Sequence, residues 1–225
     1  MTKKRREVEG GAVAWLGDQK AEAVSDRLTL TLDRLFAGPE EGAIRQAQTR
    51  LRASLEPVCY FDAVSTPRLG KVYVAVTAQG LAGVEFGISE AAFLASLRRR
   101  VTGRIERAAE PTAEARRQIA EYVQGSRTTF DLPIDWTALT DFQRRVLRAA
   151  LAVRRGQVAT YGEIARRIGR PRASRAVGQA LGHNPFPLVI PCHRVLGSDG
   201  SLRGYGGGGG TKTKAWLLQL EGASF

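Results

Sequence analysis

The chain of 225 residues is 43% apolar and 25% charged, the balance of a globular protein of one or two domains. No run approaches the ~18 apolar residues of a membrane span, and two distant cysteines make no disulfide framework. These features exclude a spanning protein and a disulfide-stapled scaffold, and an intracellular, cytoplasmic protein is expected. The net charge of +12 points instead to a polyanionic partner, most commonly nucleic acid.

Residues 1–57 are expected to form a basic start followed by a helical extension. The opening MTKKRREVEG has no apolar stretch behind its basic residues, so a secretory signal is not expected. Val24, Leu28, Leu32, Leu35 and Phe36 recur at helical spacing up to Gly38-Pro39, and Ile44, Ala47, Leu51 and Leu55 form a second stripe before Pro57. Residues 58–133 change character. Strands are predicted at 58–61, 71–77 and 81–86, joined by turn residues in an antiparallel sheet. Helices are predicted near 89–101 and 112–124, the second opened by Pro111-Thr112. Cys59 reads as a small apolar filler.

From 137 to 182 the chain is helical and basic. Thr140-Asp141 caps one helix, and Thr160-Tyr161-Gly162-Glu163 fits a capping box opening another. Gly169 breaks that helix, Arg170-Pro171-Arg172 turns, and Ala173-Ser174 starts the next, which gives a helix-turn-helix pattern. Residues 141–182 hold ten arginines against Asp141 and Glu163, a net +8 of the chain's +12. Small residues on the second helix (Ser174, Ala176, Gly178) would let its backbone lie close to a DNA groove or to another helix. Charge and motif together favour DNA.

Residues 183–225 hold the chemistry. The apolar run Leu188-Val189-Ile190 reads as a short buried strand stopped by Pro191, with Cys192 and His193 directly after it. A thiolate is the attacking form of cysteine, and an adjacent imidazole can take its proton directly or through a water. Adjacency alone is a weak signal, because most buried cysteines are inert. The two cysteines and two histidines have neither CxxC nor HxxxH spacing, so no metal site is expected. A glycine-rich loop runs from Tyr205 to Gly210, and a last helix spans Lys212 to Glu221, placing Glu221 where it could orient a histidine.

Together, Asn184-Pro185 and Pro191-Cys192-His193-Arg194-Val195 resemble the signature of the O6-alkylguanine-DNA alkyltransferases, the methylated-DNA–protein-cysteine methyltransferases. Thr160-Tyr161-Gly162, the 173–178 stretch, Tyr205 with its glycines and Trp216 through Gly222 resemble the flanking blocks. The similarity is dense over 137–222, looser over 58–130, and does not cover 1–57. It implies an α/β (α+β) fold, with a ribonuclease-H-like N-terminal domain and a helical, winged-helix-like C-terminal domain at 137–225.

The resemblance also implies a monomer that binds double-stranded alkylated DNA through the minor groove, in the cytoplasm and on the nucleoid, without a membrane or a cofactor. Such a protein flips out O6-alkylguanine, and O4-alkylthymine, and takes the alkyl group onto cysteine once only. Cys192 would be the acceptor, His193 its base through a water, and Glu221 the residue that sets the His193 tautomer and balances its charge. Asn184 would brace the turn, and Tyr161 would help rotate the nucleotide and protonate the leaving base. Arg175 would fill the stack, with Leu181 as an apolar contact and Arg172, Ser174, Ala176 and Gly178 along the same DNA face. Tyr205, Gly206, Pro191 and Val195 would wall the pocket. The loop carries more glycines than the family pattern and is expected to be a mobile wall. The structural zinc of some relatives is not expected, since Cys59 is the only N-terminal ligand of that kind. The rivals are a damage-sensing binder without transfer, a helix-turn-helix regulator with a redox cysteine, and a cysteine hydrolase.

Overall fold

The computed structural model describes residues 42, 44–47 and 56–224. The chain divides into two compact units, Met1–Leu55 and Glu56–Phe225. In the first, residues 44–47 are helical, inside the second expected helix, and residue 42 is helical ahead of it. The first expected helix and the basic run at 3–6 lie outside the described residues.

The second unit opens with β1 (Val58–Thr66), β2 (Gly70–Thr77) and β3 (Gly80–Phe86), which pair as an antiparallel meander. Helix α1 (Glu90–Arg98), capped by Ser89, crosses over to β4 (Arg104–Arg107). β4 pairs parallel to β1, giving the order β3-β2-β1-β4. The sheet is therefore mixed, not antiparallel throughout. β4 escapes prediction because three of its four residues are charged and Ile105 alone supplies an apolar contact. Helix α2 (Ala109–Val123) begins earlier than expected, so Pro111 sits inside its first turn, where a missing N–H costs nothing.

Alternation along β2 sorts its side chains between two cores. Tyr73 and Ala75 face Phe93 and Leu97 of α1 together with Cys59. Val72 and Val74 face α2 and the helical half of the unit. A sheet covered on both faces explains the unbroken apolar run of β2.

The helical half holds α3 (Asp141–Leu151), α4 (Tyr161–Arg167), α5 (Ser174–Gly182) and α6 (Gly210–Leu220). Thr140 and Thr160 both form complete capping boxes, with Gln143 and Glu163 respectively. Gly169 adopts φ 71° after α4, the left-handed turn that glycine takes without penalty. The buried residues of α3, α4, α5 and α6 join those of β2, β3 and α2 in one core.

Two features position the site. Ala159 and Thr160 (β5) pair parallel with Val195 and Leu196 (β6), so the start of α4 lies beside the chain just after Cys192. The edge of β3 is also covered: Leu81 exchanges hydrogen bonds with Pro133 and Asp135, and the Val84 N–H donates to the Pro185 carbonyl at 2.8 Å.

Candidate active site

Leu188-Val189-Ile190 is not a strand. It forms a buried turn closed by the Ile190 N–H donating to Phe186 O at 2.8 Å, with Leu188 at φ 75°. Apolarity reported burial correctly, but periodicity cannot separate a short strand from a buried turn. The turn leads through Pro191 into a single 3-10 turn, Cys192–Arg194.

Asn184 ties the two ends of this turn together. Its Nδ2 donates to Ile190 O at 2.9 Å and to Cys192 Sγ at 3.2 Å, while its Oδ1 accepts from Phe186 N at 3.0 Å. Cys192 is 7% exposed. Burial pushes its thiol above the ordinary range, opposed by the Asn184 N–H and by the nearby Lys214 ammonium. At rest the sulfur is therefore a thiol, and its proton has to be taken before it can attack.

His193 is fully buried, and its Nε2 lies 3.1 Å from Glu221 Oε1. A carboxylate only accepts, so Nε2 carries the proton and Nδ1 is the bare nitrogen. Nδ1 is buried with no partner. Burial lowers the His193 pKa, and the Glu221 hydrogen bond only partly offsets this, so the ring is neutral near pH 7. The charge of Glu221 is balanced mainly by Arg194, whose Nε and Nη2 each reach one carboxylate oxygen at 2.8 Å. Arg194 also donates to Val153 O. Burial pushes the Glu221 carboxyl up, but hydrogen bonds from His193, Arg194 and Tyr122 outweigh it and hold the group well below the usual carboxylate range.

Around the sulfur stand Tyr161, Tyr205 and Lys214. Burial, with Cys192 beside it, raises the Tyr161 pKa, so its hydroxyl stays protonated. The Tyr205 hydroxyl is buried without a partner, and burial near Cys192 raises it further. The Lys214 ammonium is buried under the Tyr161 ring and donates to Val195 O at 2.6 Å and Arg203 O at 3.3 Å. Burial pulls it down to about 8. Val195 thus serves through its carbonyl, its side chain lying in the core.

The glycine-rich loop packs closely against its neighbours. A Cβ on Gly206 would sit 2.5 Å from the Gly182 carbonyl oxygen, and one on Gly208 would sit 2.6 Å from Cα of Gly87. The loop is wedged, backbone against backbone, between the end of α5 and the end of β3. Close approach calls for glycine at 206 and 208.

On α5, Arg175 is exposed, as is Arg172 before it, and Ser174 and Ala176 are half-buried. Leu181 departs from the DNA face: it is 4% exposed and packs in the core. Gly178 faces the Tyr161 ring. Helical period decides both, since 177, 178 and 181 share the inner face. Several arginines of the basic stretch are likewise structural. Arg144 pairs with Asp141, Arg145 donates to Ile168 O, and Arg148 lies over the Trp136 ring.

The structure brings Cys192, His193, Glu221, Asn184, Tyr161 and Tyr205 together. Sequence reasoning missed three neighbours. Arg194 stood inside the quoted motif without a role, and Lys214 looked like any helix lysine. Tyr122 comes from α2, and its Oη donates to Glu221 Oε1 at 2.5 Å across 99 residues of sequence. Among the described residues no cluster of three or more His, Cys, Asp or Glu could hold a metal.

Comparison with known proteins places this arrangement. Residues 60–136 match the family described as 6-O-methylguanine DNA methyltransferase, ribonuclease-like domain, and residues 141–223 match its DNA binding domain. The chain belongs to the 6-O-methylguanine DNA methyltransferase family. It is 50% identical over 104 residues to the methylated-DNA–protein-cysteine methyltransferase of Mycobacterium tuberculosis strain H37Rv, a stretch covering 46% of this chain and 61% of the relative. It is 43% identical over 113 residues to the constitutive enzyme of that name from Bacillus subtilis strain 168, covering 50% and 67%. The matched stretch thus spans about three-fifths of the mycobacterial relative's length. Among solved structures of the family, M. tuberculosis OGT in complex with DNA superposes with a TM-score of 0.62 at 36% identity, covering 72% of this chain and 92% of that one. The ribonuclease-like half of the family is the sheet with α1 and α2, and the DNA-binding half is α3 to α6.

Proposed function

We propose that the protein repairs DNA by taking the alkyl group of O6-alkylguanine onto Cys192, once per molecule. The observation that carries this is the buried thiol held by Asn184 beside a neutral imidazole whose Nε2–H is spent on Glu221. That leaves Nδ1 as the one ring nitrogen able to accept a proton.

In the reaction, the Cys192 proton passes through a water to His193 Nδ1. The sulfur lone pair forms the S–C bond as the C–O6 bond breaks, and the electron pair moves onto the guanine. Tyr161, protonated at neutral pH, donates a proton to the leaving base and recovers one from the imidazolium by way of solvent. Thioether and guanine are the products, and no co-reactant enters. Stabilising the departing anion with a hydroxyl lowers the barrier. A thioether has no ready reversal, so one molecule acts once. O4-alkylthymine presents the same alkyl–oxygen bond and is a second substrate.

The reacting carbon is buried in a duplex, so the nucleotide must leave the stack, at a cost of a few kcal/mol. The exposed Arg172 and Arg175 beside α5 fit the minor-groove approach that puts the flipped base over Cys192, with Arg175 filling the gap. The solved DNA complex of the mycobacterial relative supports DNA as the partner. The protein acts as a monomer, in the compartment that holds the chromosome.

Intact-protein mass after mixing with a short O6-methylguanine duplex tests this, with Cys192→Ser alongside. The expected result is a gain of one methyl on the wild type only, never more than one. Binding without a mass gain would overturn transfer and favour a damage-sensing binder.

A further inference from the structure

The polar cluster behind Cys192 is not built from the DNA-binding half alone. Tyr122, on α2 of the sheet half, is 1% exposed, and its ring packs against Phe130 with centroids 5.0 Å apart. A buried tyrosine hydroxyl needs a partner, and many oxygens could satisfy it. Here the hydroxyl donates at 2.5 Å to Glu221 Oε1, the same oxygen that lies 3.1 Å from His193 Nε2. Its own oxygen stands 3.5 Å from that Nε2. Oε1 thus meets His193, Tyr122 and Arg194 at once, while Arg194 Nε holds Oε2.

We propose that Tyr122 is a positioning residue for the reaction at Cys192: its hydroxyl fixes Glu221 and, with it, holds His193 as the Nε2–H tautomer whose Nδ1 receives the thiol proton. The inference rests on the alkyl-transfer function proposed above and deepens it, because it makes the sheet half a contributor to the chemistry.

The physical consequence has a sign. The phenol draws on the lone pairs of Oε1 and so weakens that oxygen as an acceptor for the imidazole. Without the hydroxyl, Oε1 stabilises the imidazolium better, and His193 holds its proton to higher pH. The charged and titratable groups around the ring are Cys192, Arg194, Glu221, Tyr122, Tyr205, Lys214 and, beyond Tyr122, Arg155. Lys214, pulled down to about 8, remains cationic below pH 7, and Glu221, held well below the usual carboxylate range, remains anionic, so neither titrates across the acid limb.

The experiment uses the full chain. The rate of methyl transfer from an O6-methylguanine duplex at saturating protein is followed by mass between pH 5 and 8, for wild type, Tyr122→Phe and Phe130→Leu. Tyr122→Phe is expected to slow transfer roughly tenfold, the weight of one hydrogen bond to a charged group. It should move the acid limb upward by about half a unit to one unit, with affinity for unmodified duplex unchanged. Phe130→Leu loosens the same packing but keeps the hydroxyl, so its acid limb should stay where the wild type's is.

The tautomer is read independently of activity by 15N spectroscopy, which is simple here because the chain has only His183 and His193. His183 Nδ1 lies 2.8 Å from Gln179 O and is therefore the protonated nitrogen of that ring, the opposite tautomer. Wild type should show one histidine of each kind, and in Tyr122→Phe the His193 imidazolium signal should persist to higher pH. An unmoved limb in Tyr122→Phe, the same shift in Phe130→Leu, or a wild-type His193 protonated at Nδ1 would each overturn the proposal. A wild type that gains no methyl would overturn the function itself.

Discussion

Arginine is used in two opposite ways in this molecule. Arg172 and Arg175 stand exposed at the start of α5, where a guanidinium costs nothing to solvate and is available to a phosphate or a base stack. Arg194 is 8% exposed, shares two hydrogen bonds with Glu221 and donates to Val153 O. The first arrangement trades in contacts with an outside partner and is sensitive to salt. The second is an internal charge balance that leaves His193 neutral despite an adjacent carboxylate. The lesson is that net charge describes only the first kind, and that a recognition surface and a reaction centre can draw on one residue type without sharing its energetics.

The largest effect should come from breaking the internal balance. Glu221→Gln leaves the Arg194 guanidinium buried without its counter-charge and is expected to cost about 3–5 kcal/mol of stability by urea unfolding. No comparable loss should follow from any single change on the exposed face.

A smaller effect is a dependence of stability on pH, which the buried cluster carries. Burial lowers the His193 pKa from 6.5, and its ligands lower that of Glu221 from 4.5. Both groups bind fewer protons folded than unfolded. The stability contributed by these two groups should therefore be complete above about pH 6.5, begin to fall below that value as the unfolded His193 takes a proton, and fall further below about pH 4.5. Lys214, pulled from 10.5 to about 8, gives the same sign at the alkaline end. The raised Cys59 and Cys192 thiols act in the opposite sense above about pH 9, so Lys214→Met should make the alkaline fall of the urea midpoint steeper than in wild type.

The smallest effect on stability and a selective one on binding is expected of Arg175→Ala. Duplex affinity should drop about tenfold and the salt slope should shrink by about one counterion. The unfolding free energy should stay within about 0.5 kcal/mol of wild type. A change in stability comparable to that of Glu221→Gln would erase the contrast drawn between the two arginine classes.

Local signals were legible in the sequence and distant ones were not. Both threonine caps could be read because a capping box lies within four residues. The Cys192-His193 pair, the bracing asparagine and the terminal glutamate were found through a short motif and its flanks, and the structure assembles them. The strand β4 was missed because Arg104, Glu106 and Arg107 carry no apolar alternation. Leu181, which the resemblance implies as an apolar contact, turns into the core, and a motif match does not say which way a side chain looks. Tyr122 had no local mark: its partner lies 99 residues away, and only the packing of α2 against the helical half brings them together.

The hydrogen bond from Val84 to the Pro185 carbonyl has a bearing on handling the two halves separately. β3 is the outer strand of its sheet, and the loop carrying Asn184 and Pro185 is what occupies part of its open side. A fragment ending before α3 would present those backbone groups to solvent as a template for strand pairing between molecules. Expressed alone, the ribonuclease-like half should therefore aggregate, and the loop that braces the thiol doubles as the guard that keeps its neighbour soluble.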